Sequence, residues 1–534
     1  MTELQYTPLR LRLAGVALPV VLGLAALLGA CGLEEPQSPP NIIIILSDDH
    51  ARRTISAYDD EIIRTPNIDR LADEGIVFTN AFVANSICGP ARASILTGKH
   101  SHIHGVTGNA QPWDSTQWVF PRALKEAGYQ TALFGKWHLN SRPADEYDTY
   151  RLLTGAGRQG FYYNPEFYDS ETGTETVEGF STDIITEDAL KWLEQERDPD
   201  RPFLLFVQYK VAHVPRMPPL RLLDKYVDET IPEPPTLHDD LSTRSVYARQ
   251  VNFFLDQFHP LPPYGTYDPQ EESIYVARMT DEQLRAYHEV IDPQNEEFRR
   301  RLESGELDDS TAMRSYVYQR FIKDYLRLVD ALDENIGRLL DWLDADEALK
   351  QNTVVVYASD QGYFTGEHGY AEKRLMYEPA MVMPLIMRAP GRVEPGTRAG
   401  ALVQNIDLAP TFLELAGVAA PEDLQGRSLT PLFDGEAPAD WRTSVYYQYF
   451  DHMLHRVGRH AGVRSDRYKL IHFYTDDVRE FYDLEADPHE VDNVYGNPDY
   501  RDEIDMMKAE YERLKVQYGV PEEAFEPPFE IAGE

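Results

Sequence analysis

The chain has 534 residues, with 51 basic against 89 acidic side chains and a net charge of −38. A surface this acidic excludes a nucleic-acid-binding protein, which needs a basic footprint. Hydrophobic residues at 42% and aromatic residues at 11% exclude a disordered chain; the length suits one large domain with a smaller one, or three small ones.

The first segment carries Arg10 and Arg12, then an apolar run from Leu13 to Leu28. That is the pattern of an export signal. Its end, Leu28-Gly29-Ala30-Cys31, resembles a bacterial lipobox. The resemblance implies a lipoprotein signal over residues 1–30, lipid on Cys31 and a polar tether over 31–40. The expected location is outside the cytoplasm, anchored to a membrane and facing the periplasm or cell exterior. An ordinary secretory signal or a single membrane anchor are the other readings. With Cys31 taken by lipid, Cys88 is the one cysteine left in the mature body, which then has no intrachain disulfide.

Beyond the tether, NIIIIL at 41–46 predicts a central strand buried on both faces. TPNIDRLADEG predicts a helix, with Pro66 in its first turn and Gly75 at its stop. A strand is expected in IVFTNAFVA, a short helix in FPRALKEAG and a strand in YQTALFG. Residues 188–196 read as helix, PFLLFVQY as strand, and 316–343 as a long amphipathic helix. NTVVVYA predicts one more strand. The stretch 215–309, rich in prolines and acids, reads as an irregular insertion. This alternation predicts an α/β fold with a largely parallel sheet over residues 41–433. From 434 to 534, short strands and one amphipathic helix predict a smaller α+β domain.

Chemistry gathers at the strand ends, where open α/β sheets form their sites. The first strand runs into Asp48 and Asp49, and the last into Asp360 and Gln361. Three carboxylates and an amide oxygen suit a hard cation, Ca²⁺ or Mg²⁺, rather than Zn²⁺. Lys136 and His138 follow one strand, His213 another, and His368, Lys373 and Arg374 follow the second acidic pair. Together with Arg92 they predict a cationic ring around an anion, a locally basic pocket in an acidic protein.

Cys88-Gly89-Pro90-Ala91-Arg92, followed by ASILTGKH, resembles the signature of the type I sulfatases. The likeness extends from IIIILSDDH to FYDLEADPHEVDN. It implies an alkaline-phosphatase-like α/β fold with a C-terminal antiparallel sheet. It further implies a maturation enzyme that oxidises Cys88 to formylglycine, whose hydrate attacks sulfur. By the same resemblance Asp48, Asp49, Asp360 and Gln361 bind the cation, most simply Ca²⁺. Arg92 and Lys136 hold the hydrate. His213 and Lys373 bind sulfate oxygens, one of them protonating the leaving alcohol, and His138 removes a proton from the second hydroxyl. Gln361 departs from many relatives, which carry Asn there.

Three segments, YASDQGYFTGEHGYAEKRLMYE, QYKVAHVPRMPP and RHAGVRSDRYKLIHFY, resemble bacterial enzymes similar to N-acetylglucosamine-6-sulfatases. The implied substrate is a sugar 6-O-sulfate, with Glu372, Arg374 and His460 as candidate sugar contacts. The alternatives are a sulfate at another position of a marine polysaccharide, a phosphoester hydrolase of the same superfamily, and a non-catalytic glycan-binding lipoprotein.

Overall fold

The computed structural model describes residues 39–59, 61–257, 274–451 and 454–526; the expected signal over residues 1–30 and Cys31 lie outside them. In chain order the strands are β1 (Asn41–Ser47), β2 (Ile76–Phe78), β3 (Ala81–Phe82), β4 (Gln130–Gly135), β5 (Thr149–Thr154), β6 (Glu166–Asp169), β7 (Gly173–Thr176) and β8 (Phe203–Gln208). They continue as β9 (Thr353–Ser359), β10 (Leu385–Arg388), β11 (Thr397–Ala399), β12 (Val403–Gln404), β13 (Ser444–Tyr449), β14 (His460–Ser465), β15 (Tyr468–Phe473) and β16 (Val478–Asp483). Ten of these build one sheet in the order β11-β2-β10-β9-β1-β8-β4-β5-β6-β7. Its centre, β9-β1-β8-β4-β5, is parallel. Antiparallel pairings of β10 on one side and β6 and β7 on the other make the sheet mixed.

β1 lies at the middle because Ile42–Leu46 are all aliphatic and every residue of the strand is buried. A strand covered on both faces needs this unbroken aliphatic run. The longer helices are α1 (Pro66–Asp73), α2 (Cys88–Thr97), α3 (Phe120–Glu126), α4 (Ser181–Lys191), α5 (Asp281–Glu303), α6 (Ser310–Asp344), α7 (Leu408–Leu415) and α8 (Arg501–Gln517). They flank the sheet in two groups, α6 with α1 and α4, and α7 with α2 and α3.

β13 to β16 form a separate antiparallel sheet whose strands alternate their side chains between two cores. Tyr446, Ala461, Val463, Leu470 and Phe481 meet Ile504, Met507, Tyr511 and Leu514 of α8. Val445, Tyr447, Tyr449, Ile471 and Tyr482 face the main core. This two-residue period turns one face of the small sheet to the main core and the other to α8.

Several elements differ from expectation. The stretch 215–309 is not irregular throughout: α5 fills 23 residues of it behind a Thr280/Gln283 capping box. Its apolar stripe is thin, with Tyr287, Ile291 and Phe298 buried, and Pro293 interrupts it, so the periodic signal is weak. The helix expected at 188–196 begins at Ser181 and ends in a widened turn over Trp192–Glu196. IVFTNAFVA divides into β2 and β3, and β3 leaves the main sheet to pair with β12.

Two features of this frame bear on the site. Gly135 ends β4 with φ +109, and a Cβ there would lie 1.9 Å from the Gln208 carbonyl oxygen. That carbonyl accepts the Lys136 N–H at 2.8 Å. Behind α2, His104 Nδ1 accepts the Val106 N–H at 3.1 Å and Nε2 faces Ser94 Oγ at 3.1 Å. The ring already uses its acceptor nitrogen, so a second proton has no place.

Gly135→Ala should therefore destabilise the protein by about 2–3 kcal/mol, read as a lower urea midpoint at constant slope; an unchanged midpoint would contradict the close approach. Burial, then neighbouring imidazoles, push His100 and His104 down to about 3 in the folded protein. The unfolded imidazole titrates near 6.5. Between those values the unfolded state binds more protons, so stability falls as the pH is lowered through that window. His104→Gln should flatten this slope in denaturation curves taken across it.

Candidate active site

Parallel pairing of β1 with β9 sets Ser47 opposite Ser359. The residues that follow each strand, Asp48-Asp49 and Asp360-Gln361, are thereby delivered to one place. Asp49 takes a left-handed turn, φ 64, and its N–H donates to Asp360 Oδ1 at 3.2 Å. Tyr325 of α6 fixes that turn from behind, donating to the Asp49 carbonyl at 2.5 Å and accepting the Ala51 N–H at 2.8 Å. β4 delivers Lys136, and the N-terminus of α2 delivers Cys88 as its first residue.

Cys88 is fully buried. Its Sγ lies 3.3 Å from Asp48 Oδ1, 3.2 Å from Lys373 Nζ and 3.6 Å from Gln361 Nε2. Lys373 straddles Asp49 at 2.5 and 2.7 Å. Lys136 donates to Asp48. Arg92, one turn along α2 from Cys88, donates to Asp360 Oδ2 at 3.0 Å and to the Lys136 carbonyl at 2.6 Å. His213 Nε2 stands 3.9 Å from Asp49. His138, with φ 54, places Nε2 2.9 Å from the Gln159 side-chain amide and leaves Nδ1 buried without a hydrogen bond.

The charges are interdependent. Burial acts to raise Asp48, yet Lys136, His213, Arg92 and Lys373 hold it well below the usual carboxylate range. Asp360 is pushed up to about 7 by burial and the nearby Asp48 charge. Burial and then Lys136 hold both His138 and His213 well below the ordinary imidazole value, so both rings are neutral. Burial, then Asp48, push the Cys88 thiol upward. A thiol kept protonated is a poor nucleophile.

The donor set fits a hard divalent cation. Asp48, Asp49, Asp360 and Cys88 each offer an atom within 4.8 Å of the others, all buried. Gln361 Oε1 is buried and unpartnered, while its Nε2 reaches Asp49. Three carboxylates and an orphaned amide oxygen converge on one buried point, the donor chemistry of an all-oxygen shell.

A family model for sulfatases matches residues 40–418, most of the chain. The chain belongs to the sulfatase family. A second model, for the C-terminal part of N-sulphoglucosamine sulphohydrolase, matches residues 366–517 of this sulfatase. A Bacteroides thetaiotaomicron protein named N-acetylglucosamine-6-O-sulfatase is 41% identical to the sulfatase over 515 residues, 93% of this chain and 91% of its own. A solved structure of a protein in complex with its substrate D-glucosamine-2-N,6-O-disulfate matches with TM-score 0.86 at 40% identity, covering 91% of this chain and 99% of that one. A phosphonate monoester hydrolase from Silicibacter pomeroyi shares the fold, with TM-score 0.66 at 21% identity, covering 90% of this chain and 96% of its own.

The outer residues of the sulfatase are placed less uniformly. Glu372 and Arg374 pair with one another at 2.5 Å beside Lys373, and Arg374 has the strained φ of 93. His460 stands at the start of β14. Its ring is fully buried, stacked on Tyr447 and Tyr449 and against Phe473, because it opens β14 on the face turned to the main core. His368 leaves the cationic ring as well: its Nδ1 lies 2.9 Å from Asp239 and 3.0 Å from Arg244. Lys210 was overlooked. It follows β8 as Lys136 follows β4, donates to the Val214 carbonyl at 3.0 Å, and is pushed down to about 7 by burial and then Lys136. Tyr447 also stands close, donating to the Arg374 carbonyl at 2.5 Å and accepting the Ser86 N–H at 3.2 Å.

Adding Ca²⁺ or Mg²⁺ to chelator-treated sulfatase should raise its unfolding free energy, by about 2.7 kcal/mol at one hundred times the dissociation constant. Asp360→Asn should remove most of that gain in a thermal-shift titration. A wild-type protein indifferent to both ions would refute the metal assignment.

Proposed function

We propose that this sulfatase hydrolyses the 6-O-sulfate of glucosamine-type sugar units in sulfated glycans, releasing inorganic sulfate and the free sugar hydroxyl. The observation that carries this reading is Cys88 at the start of α2, within 3.3 Å of Asp48 and 3.2 Å of Lys373, inside the sequence Cys88-Gly89-Pro90-Ala91-Arg92. The substrate assignment is supported by the 41% identical relative named for that activity.

Asp48, Asp49, Asp360 and Gln361 would hold one Ca²⁺, or alternatively Mg²⁺, which supplies Lewis acidity and a template for sulfate oxygens. Cys88 matured to formylglycine would supply a hydroxyl nucleophile where the protonated thiol is inert. The remaining residues orient and move protons. Arg92 locks Asp360 and the Lys136 carbonyl in place. Lys373 and His213 face the position of the sulfate oxygens, and Lys373, which burial opposes but Asp49 keeps protonated, can protonate the departing sugar oxygen. His138 is neutral, with Nε2 accepting from the Gln159 side-chain NH₂ and the ring proton therefore on Nδ1, so Nε2 is the nitrogen that would take up a proton. Glu372 and Arg374 border the sugar position.

We read the same Cys88 segment as the target of a formylglycine-generating enzyme. Cys31 we read as the site of lipid attachment, which would hold the protein at a membrane outside the cytoplasm. The support for both is the sequence pattern.

Peptide mapping of active protein should find an aldehyde at residue 88; full activity with an unmodified thiol would refute the nucleophile. Cys88→Ala should lower turnover by about 10⁴-fold or more. On a panel of sulfated monosaccharides, glucosamine 6-sulfates should be preferred, and a preference for galactose 4-sulfate would overturn the substrate assignment.

A further inference from the structure

The loop that carries Lys136 into the site continues as Trp137, His138, Leu139, Asn140, Ser141 and Arg142. Its outer wall borders a groove of about 360 Å³, which runs from His138 over the ends of β5 and β6. Arg142 and Arg158 stand on this groove. The Arg142 guanidinium lies flat over the Tyr168 ring at 3.6 Å. Arg158 reaches the Asn140 side-chain oxygen at 2.7 Å and is adjacent in sequence to Gln159, the partner of His138. The Trp137 indole N–H and the Ser141 hydroxyl, both bordering the groove, are buried without a hydrogen-bond partner.

The lining is rich in donors and poor in free acceptors. Its one carboxylate, Glu166, already faces Arg278 at 3.6 Å. Neither Arg142 nor Arg158 has a carboxylate within ion-pair distance among the described residues, in a chain with 89 acids. A neutral sugar presents donors and acceptors in equal measure; a planar guanidinium pair with added N–H and O–H donors selects an oxyanion. Stacking on Tyr168 holds Arg142 ready, which lowers the entropic cost of using it.

We propose that this groove binds a sulfate or carboxylate carried by the sugar next to the one being desulfated. The groove and the reaction site share His138, so the groove lies beside the sugar held at Cys88. The inference rests on the sulfatase reading of the site and adds a second anion-recognition point, which favours glycan chains over single sugars.

The test compares four substrates: glucosamine 6-sulfate itself and disaccharides containing it beside a neutral, a sulfated or a uronate sugar. Wild-type protein should show a lower KM for one or both acidic disaccharides than for the neutral one, and which of the two identifies the anion. Arg142→Ala with Arg158→Gln should raise that KM by about 10-fold, leaving kcat and the monosaccharide constants unchanged. Calorimetric binding of the acidic disaccharides to Cys88→Ala, with and without the two groove substitutions, gives the same comparison without turnover. Equal KM for all disaccharides, or an equal loss on the monosaccharide, would overturn the groove assignment. Failure of the wild type to hydrolyse glucosamine 6-sulfate would instead overturn the substrate reading, and binding of the acidic disaccharides that the substitutions leave intact would still exclude the groove.

Discussion

Everything at the site follows from one pairing, Ser47 against Ser359 in adjacent parallel strands. In-register ends bring Asp48 and Asp360 together whether or not their charges welcome it. Like charges at that separation in a dry interior are costly. The cost is offset by what surrounds them: Lys136 on Asp48, Lys373 on Asp49 and Arg92 on Asp360. Each cation arrives from a different element, so the sheet, α2 and the loop after β9 must all be in place before the charges balance.

This balance explains how a protein of net charge −38 can bind an anion. The acids of the surface are solvated and screened, whereas the cations of the site are buried and act at short range. Two of them, Lys136 and Lys373, reach carboxylates with their ammonium groups. The same short range applies to the groove beyond His138, where arginines stand without carboxylate partners.

Much of this was legible in the sequence, and the reasons for the rest are specific. NIIIIL and NTVVVYA announce central strands because burial on both faces demands continuous apolar runs. The chemistry at their ends followed from the general rule for open sheets. β6, β7 and β11 were not anticipated, since half-exposed strands of three or four residues at or next to a sheet edge carry little periodic signal. α5 hid behind its polarity and Pro293. Tyr325 lies within the amphipathic helix expected at 316–343, but its hydroxyl function depends on the chain folding back upon Asp49. For His460 the sequence does not give the surroundings of the ring. Nothing local distinguishes a histidine at a cleft from one stacked among tyrosines, because the difference lies in which face of β14 meets the core.

Tyr447 belongs to the small C-terminal sheet, yet its single hydroxyl bridges the Arg374 carbonyl and the Ser86 N–H. It clasps the segment leading to Cys88 and the segment following Lys373 from outside the large sheet. The reaction centre is therefore not a detachable cassette. A shuffled hybrid joining the front portion of this chain to a foreign tail would keep every reacting side chain and still lose the latch between the two segments that present them.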